Sequence, residues 1–480
     1  MNEQQDSASA TELNILPVSA PPSRNTTLDE GGRRKWVYAD IAAGRFAQAR
    51  NLVYSVLIVF YMIAPWLKIG SEPFLRFDLP ARRFSIFGTT FVATDLYLLA
   101  LFLLLAAVAM FLFSALLGRL WCGWACPQTV YLEGVFRRIE RWIEGSPLKR
   151  RKLDSGPRDG AYWSKKTVKI AAFFIVSALL SLSFVAYFIS PQGVLEMLRS
   201  GGASHPAAMV TTLVVTGITL WNFAWFREQF CTFLCPYARF QSVMLDDHSL
   251  IVGYDPQRGE PRSPLRPDHS WDNRGDCIDC KRCVQVCPTG IDIRNGLQLE
   301  CVSCTACIDA CDAVMDRIER PRGLIRYDSL AGLAGRPHKI IRRRVVLYSL
   351  VMIVVLGVFS SRLLSREAVG LTITRSAGIP FMVQDDGKVR NLFTVHITNT
   401  DVRPLNVHVE ADGPAGLQTI VPGEPFTIAA GQRLSTEVFV LLPREQVTGS
   451  ETPITFRLMT GDTLLSRAPT IFLGPARAVK

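Results

Sequence analysis

From Cys277 to Pro288 the chain reads C-I-D-C-K-R-C-V-Q-V-C-P, and from Cys301 to Asp312 it reads C-V-S-C-T-A-C-I-D-A-C-D. Each run is C-x2-C-x2-C-x3-C, the spacing with which bacterial ferredoxins hold [4Fe–4S] cubanes. Three cysteines at intervals of three wrap a loop around one cube, and the fourth crosses to the other. That rule assigns Cys277, Cys280, Cys283 and Cys311 to cluster I, and Cys301, Cys304, Cys307 and Cys287 to cluster II. A zinc ribbon would instead use two C-x2-C pairs with a longer spacer. Disulfides need an oxidising compartment, which the charge topology of the chain argues against. Pro288 follows the first run, whereas Asp312 stands where the second usually has proline. That position shapes a turn and supplies no ligand. The stretch reads as an electron carrier.

The rest of the composition places this carrier at a membrane. Of 480 residues 49% are hydrophobic, and the mean hydropathy is positive, as membrane spans require. The net charge of +11 could suggest nucleic acid, but lysines and arginines cluster beside apolar segments, as membrane topology demands. No nucleic-acid partner is expected. Twelve cysteines are present, and those outside the ferredoxin runs form two matched pairs.

Residues 1–48 are polar, carry Arg33, Arg34 and Lys35, and lack the apolar core of a signal peptide. They read as a partly disordered tail. Residues 49–265 read as a four-span membrane domain, with spans near 51–67, within 90–117, at 168–189 and at 207–226. Pro73 and Pro80 mark a short linker after the first span, and Pro191 and Gly193 open a loop after the third. Residues 266–325 form the ferredoxin domain, and 326–368 form a basic linker with a fifth span from Val345. Residues 369–480 alternate as strands do, in F-T-V-H-I-T-N-T, L-N-V-H-V-E-A-D and S-T-E-V-F-V-L-L-P, and suggest an immunoglobulin-like β-sandwich. The fold class is therefore a multi-domain membrane protein: a five-span α-helical bundle, a ferredoxin-like insert with two [4Fe–4S] clusters, and a C-terminal sandwich. The tail, the 118–167 linker and the ferredoxin loop are rich in Lys and Arg, while the loops at 68–89 and 190–206 carry few. The positive-inside rule then puts the former in the cytoplasm and the sandwich outside, in the periplasm of a Gram-negative host.

The four-span region is an internal repeat: two spans, an aromatic-flanked C-x3-C-P, then a surface helix. Cys122 and Cys126 are answered by Cys231 and Cys235. Cysteines at i and i+4 share a helix face. Pro127 and Pro236 suit a first helical position, so Cys126 and Cys235 fall at an N-cap that favours thiolate. Parallel repeats about an axis along the membrane normal would bring the pairs together. Four soft ligands favour monovalent copper, zinc or an iron–sulfur cluster, with a metal-free redox-active dithiol as an intermediate case and simple packing as the bland alternative. After the first pair, Tyr131, Val135, Ile139 and Trp142 make one apolar helical face, with Arg137, Arg138, Glu140 and Arg141 elsewhere. Trp121, Trp124, Trp221 and Trp225 read as interfacial anchors, and His205, His248, His269 and His338 as ordinary loop residues. No C-x-x-C-H and no Gly-rich dinucleotide fingerprint occurs, so electrons come from an outside donor.

With W-C-G-W-A-C-P-Q-T-V, F-C-T-F-L-C-P-Y-A-R-F-Q, the double ferredoxin run and the final sandwich in hand, the chain resembles the CcoG family, also called FixG or RdxA, over nearly its whole length. The paired C-x3-C-P beside a ferredoxin is also similar to membrane polyferredoxins, which generally lack the sandwich. The resemblance implies an inner-membrane accessory protein for assembly of a cbb-type cytochrome oxidase, acting as a cupric reductase that turns Cu(II) into Cu(I). It implies copper at Cys122, Cys126, Cys231 and Cys235, clusters on the eight ferredoxin cysteines, and oxidase subunits or copper-delivery proteins as partners. A cytoplasmic electron donor and a homodimer are further expectations for the chain. A quinol-linked electron-transfer module and a non-enzymatic assembly scaffold are the rival expectations.

Overall fold

The computed structural model describes residues 33–69, 72–80, 83–91, 95–265, 271–365, 369–376, 379–399, 404–429, 432–447 and 449–475. The expected disorder early in the tail and the reading of His269 lie outside the described residues. The chain folds as two compact units. One comprises Met1–Ile63, Leu104–Ala186 and Gln192–Val355; the other comprises Ala64–Leu103, Tyr187–Pro191 and Leu356–Lys480.

Among the described residues five helices are long and apolar enough to cross a membrane: Arg45–Trp66, Leu96–Leu117, Gly160–Arg199, Pro206–Phe226 and Arg343–Leu364. Each falls on an expected span. Their large side chains, among them Leu103, Phe111, Leu213, Leu350 and Ile353, stay exposed. Apolar surface of this extent associates with a bilayer. One boundary differs from expectation. Pro191 and Gly193 open no loop; the chain kinks at Ser190 (φ 72°, ψ 158°) and resumes as helix to Arg199. Proline suits that restart, because the first turn of a helix has no use for its missing N–H.

In the first unit the first span is capped from a distance. The carboxylate of Asp309, which lies between Cys307 and Cys311, accepts from the N–H groups of Phe46 (3.2 Å) and Ala47 (2.7 Å). The cap satisfies two orphan donors and places a negative charge at the positive end of the helix. Tyr54, two turns on, donates to the carbonyl of Gly123 at 2.6 Å. The segment at 33–44, expected as tail, is packed: Ala42 joins the core around Val302, Cys304, Ala306 and Ala310. The ferredoxin lobe has its own core of Val252, Tyr254, Ile291, Ile308, Met315, Leu324 and Ile325. Antiparallel strands Ile251–Tyr254 and Ile325–Asp328 close it, so the lobe draws on chain ahead of the expected start at 266.

The surface helix after the first cysteine pair packs Tyr131, Val135 and Ile139 as expected, but not Trp142. A π-helical turn at Leu132–Phe136 interrupts the α-helix before Arg137–Glu144. Each π turn takes an extra residue and rotates the helix beyond it. The buried side chains are therefore Leu132, Phe136, Arg137, Glu140 and Glu144, while Trp142 is 88% exposed. Phe136 stacks on Phe223 at 4.3 Å and meets the edge of Phe173 at 4.8 Å. Charge as well as apolar surface is thus turned inward.

In the second unit the stretch expected as a linker carries strands. Leu75–Asp78, Arg83–Ile86 and Thr89–Phe91 form an antiparallel sheet, turning at Gly88 with φ 76°. The tail is the expected sandwich. One sheet orders Gln418–Ile420, Arg433–Pro443, Lys388–Asn399 and Val369–Arg375, with Met382–Val383 also on Lys388–Asn399; the other orders Phe426–Ile428, Leu405–Asp412, Glu451–Thr460 and Thr463–Leu473. Every second residue of Lys388–Asn399 is buried. Val395, Ile397, Val438 and Val440 meet Val407, Val409, Phe456 and Leu458 in a dry core, which is sheet-on-sheet packing.

Candidate redox and metal site

The two ferredoxin runs fold alike. In the first, Asp279 and Lys281 on either side of Cys280 have φ of 51° and 56°; in the second, Ser303 and Thr305 on either side of Cys304 have φ of 52° and 64°. Non-glycine residues take this conformation at a cost and persist in it where function requires. Alternation of left-handed and ordinary residues turns successive N–H groups inward, making the concave nest that receives anionic iron–sulfur groups. Two voids match this. One is lined by Cys277, Cys280, Cys283 and Cys311. The other is lined by Cys287, Cys301, Cys304 and Cys307, with Cys283 between the two. Each void thus takes three cysteines from one run and the last of the other. The donor set, the nests and the voids fit cubane clusters, and all twelve cysteines are free of disulfides.

The C-x3-C-P arms repeat each other in conformation as well as in sequence. Four residues ahead of the first cysteine, each arm takes a positive φ: Gly118 at 56° and Arg227 at 54°. Cys126 and Cys235 are N-caps, with Pro127 and Pro236 at the first helical positions, as expected. Contacts are swapped between arms. Gln128 exchanges hydrogen bonds with Asn222 (2.7 and 3.3 Å) and donates to the carbonyl of Arg227 (2.9 Å). Its counterpart Tyr237 bonds Ser114 at 2.7 Å. The pairs do not lie on single helix faces, however. Cys122 is in the short helix Leu120–Trp124 and Cys231 in the π turn Phe230–Leu234, each separated from its partner by a break.

The four thiols face one another electrostatically. Burial, then Cys126, Cys235 and Cys301, pushes Cys122 up to about 12 against the pull of Arg119. Burial followed by Cys126, Cys122 and Cys235 pushes Cys231 up. Burial also raises Cys126, although the amides of Gln128 and Thr129 work against it. The N-cap thus does not make Cys126 a ready thiolate; desolvation wins. Among the described residues no three His, Cys, Asp or Glu donors stand close enough to hold a single ion.

The first arm presses on the second ferredoxin run. A Cβ on Gly123 would lie 2.5 Å from the carbonyl of Val302 and 2.8 Å from the Cα and N of Cys304, so only glycine allows this approach. Arg119, buried, donates to the carbonyls of Leu299, Cys301 (3.2 Å) and, in the other arm, Ala238 (3.0 Å). The Cys122 thiol donates to Oε1 of Gln241 at 3.2 Å, and the Gln241 amide donates to Ser114 at 3.3 Å. Trp124, expected at a membrane interface, donates to the Tyr327 hydroxyl at 3.0 Å in the ferredoxin lobe. Trp221 and Trp225 remain half exposed. His248 and His338 neighbour each other at 6.1 Å, and His205 faces Glu196 at 3.9 Å.

Around the arms lies a buried charge network that sequence reasoning missed. Glu140 accepts from Arg227 (2.9 and 3.0 Å) and from Arg150 (2.8 Å), with Lys169 at 3.7 Å. Burial would raise its carboxyl, but Arg227, Lys169 and Arg150 hold it near 2. Glu228 pairs with Arg34 (3.1 Å) and Arg137 (3.4 Å), and Arg137 also donates to the carbonyl of Pro288 beside Cys287 (2.8 Å). The available signal was positional: Arg119 and Glu228 each stand three residues before their first cysteine.

The fold and these sites define a class, the iron–sulfur redox proteins. Residues 226–330 match the 4Fe-4S dicluster domain, 99–147 match a 4Fe-4S binding domain, and 359–475 match the IG-like fold at the C-terminus of FixG. Protein RdxA of Cereibacter sphaeroides is 34% identical over 435 residues, covering 87% of this chain and 92% of the relative. The nitrogen fixation protein FixG of Rhizobium meliloti is 31% identical, covering 94% of each. A solved FixG-related protein from Vibrio parahaemolyticus aligns over 22% of this chain and 97% of that one at 14% identity, with a TM-score of 0.20. The chain belongs to the FixG/RdxA family.

Proposed function

We propose that this protein is a membrane-bound cupric reductase serving assembly of a cbb-type cytochrome oxidase. In this reading cluster I is held by Cys277, Cys280, Cys283 and Cys311, and cluster II by Cys287, Cys301, Cys304 and Cys307. The clusters supply reversible one-electron transfer. Copper is the substrate. Each Cu(II) takes one electron to become Cu(I), and the thiols among Cys122, Cys126, Cys231 and Cys235 that bind it release their protons. Soft thiolates favour the reduced ion, and two suffice for it. Five spans cross the inner membrane, with the ferredoxin lobe cytoplasmic and the sandwich periplasmic, in keeping with the placement of Lys and Arg. Oxidase subunits or copper-delivery proteins take the product.

The observation that carries the proposal is the seat of Gly123 on the Val302–Cys304 backbone. It brings Cys122 against the second cluster loop, where electron transfer to bound copper needs no further carrier. The test is anaerobic: chemically reduced protein receives Cu(II) while a Cu(I) chelator and the cluster spectrum are followed together. Cu(I) should appear as the spectrum oxidises, and Cys122→Ser with Cys231→Ser should stop it. A spectrum that stays reduced beside unreacted copper sinks the reading.

One observation favours a second reading. The 4Fe-4S match at 99–147 spans Cys122 and Cys126, and Cys231 and Cys235 act on that pair electrostatically. With that match the four thiols would hold a third cluster. Iron content separates the two, as two clusters' worth of iron per chain or three.

A further inference from the structure

Cys280 alone among the eight ferredoxin cysteines is exposed, so the site it lines has a ligand that meets solvent. Arg282 lines that site and also an open cleft of about 740 Å³. The cleft is built from three segments: Lys35–Asp40, the helix Pro147–Ser155, and the turn Arg282–Gln285 that carries Cys283. Its walls are tied. Tyr38 donates to Asp154 at 2.8 Å, Arg150 to the carbonyl of Ala39 at 3.1 Å, Arg282 to Asp40 at 2.8 Å, and Asp40 N–H to the carbonyl of Gln285 at 2.9 Å.

Its charges are unequal in their freedom. Asp40 is held by Arg141 and Arg282, and Asp154 by Lys166. Lys35 and Arg151 line the cleft, are exposed, and make no ion pair among the described residues. The same cleft shows Leu148, 80% exposed, and Trp36, 39% exposed under the Arg34 guanidinium at 3.9 Å. Free cations around bare apolar side chains form a docking face for an acidic protein. Transient redox encounters need only a small face of this kind.

We propose that this cleft docks a soluble, acidic one-electron carrier protein, which delivers its electron beside Cys280 and Cys283. The step moves one electron: the carrier is oxidised, the ferredoxin lobe is reduced, and no bond is made. It rests on the reading above that the two clusters pass electrons to copper.

The test uses the full chain in detergent with its clusters in place, and an acidic plant-type [2Fe–2S] ferredoxin as probe. Lys35→Glu with Arg151→Glu is compared with a charge-matched control, Lys152→Glu with Lys165→Glu. At low salt the cleft variant should bind oxidised ferredoxin about tenfold more weakly, lose the salt dependence of binding, and slow in reduction by reduced ferredoxin. The control should change much less, and reduced methyl viologen should reduce all three proteins equally. Several outcomes overturn the proposal: unchanged binding in the cleft variant, equal loss in the control, no binding by the unaltered protein, or slowed viologen reduction. So does loss of binding to phosphatidylglycerol vesicles with ferredoxin binding intact, which would give the cations to a lipid surface. Copper reduction by viologen-reduced protein needs neither Lys35 nor Arg151, so each reading can fail without the other.

Discussion

Glu140 shows how much can turn on one side chain. It is buried with three cations, and it meets the guanidinium of Arg227, whose backbone is held at φ 54°. Removing one member of a buried ionic set leaves the others unpaired, which typically costs about 3–5 kcal/mol. Glu140→Gln should therefore lower thermal stability by that order, measured by unfolding in detergent. The pH dependence has a definite sign. A carboxyl held near 2 stabilises the fold above its unfolded value of about 4.3 and loses that contribution as pH falls from there toward 2. Between those values the unaltered protein should lose its advantage over Glu140→Gln. Gly123 gives a second test at this scale. Its missing Cβ is what admits the Val302–Cys304 backbone, so Gly123→Ala should displace that loop. One cluster should be lost and the other kept, read as iron content and as simplification of the reduced-state EPR spectrum. The high-lying Cys122 and Cys231 thiols add a third. Uptake of Cu(I) should release protons, and affinity should fall as pH is lowered, measured with a chelator competition at several pH values.

At the scale of elements, the π turn at Leu132–Phe136 decides which face of the following helix is buried. One residue in an α-helix is worth about 100° of rotation, from 3.6 residues per turn. Deleting Gly134 should restore α-helical register and swing Arg137 and Glu140 out of their network. The expected result is loss of protein stability comparable to Glu140→Gln, with the spans still inserted; a deletion that leaves the melting temperature unchanged would show that the π turn carries no such role. The sandwich tests ordinary packing. Phe456 is fully buried and meets Phe393 edge-on at 5.4 Å. Phe456→Ala should cost about 3–5 kcal/mol, seen as earlier proteolysis of the C-terminal domain with cluster absorbance unchanged.

For the whole molecule, metal and fold are linked unevenly. Cysteines Cys277 and Cys283 sit in the core of the ferredoxin lobe, whereas the sandwich contains no cysteine. Stripping iron under anaerobic chelation should open the lobe to protease and leave a resistant sandwich fragment. Much of this organisation was legible in the sequence. Cysteine spacing, apolar run length and strict alternation are local codes, because a loop around a cube, a span across a bilayer and a half-buried strand each impose a fixed period on neighbouring residues. These codes located both ferredoxin runs, the five apolar helices, both N-cap prolines and the sandwich strands. The sheet at 75–91 escaped because its strands are too short to show a period. The buried Glu140, the packed 33–44 segment, the kink rather than loop at Ser190, and the approach of Gly123 to Cys304 depend on partners far away in the chain. A charged residue looks the same in sequence whether water or Arg227 meets it. Only the tertiary structure decided those contacts, since burial and pairing are properties of the chain that folds against a residue and not of the residue itself.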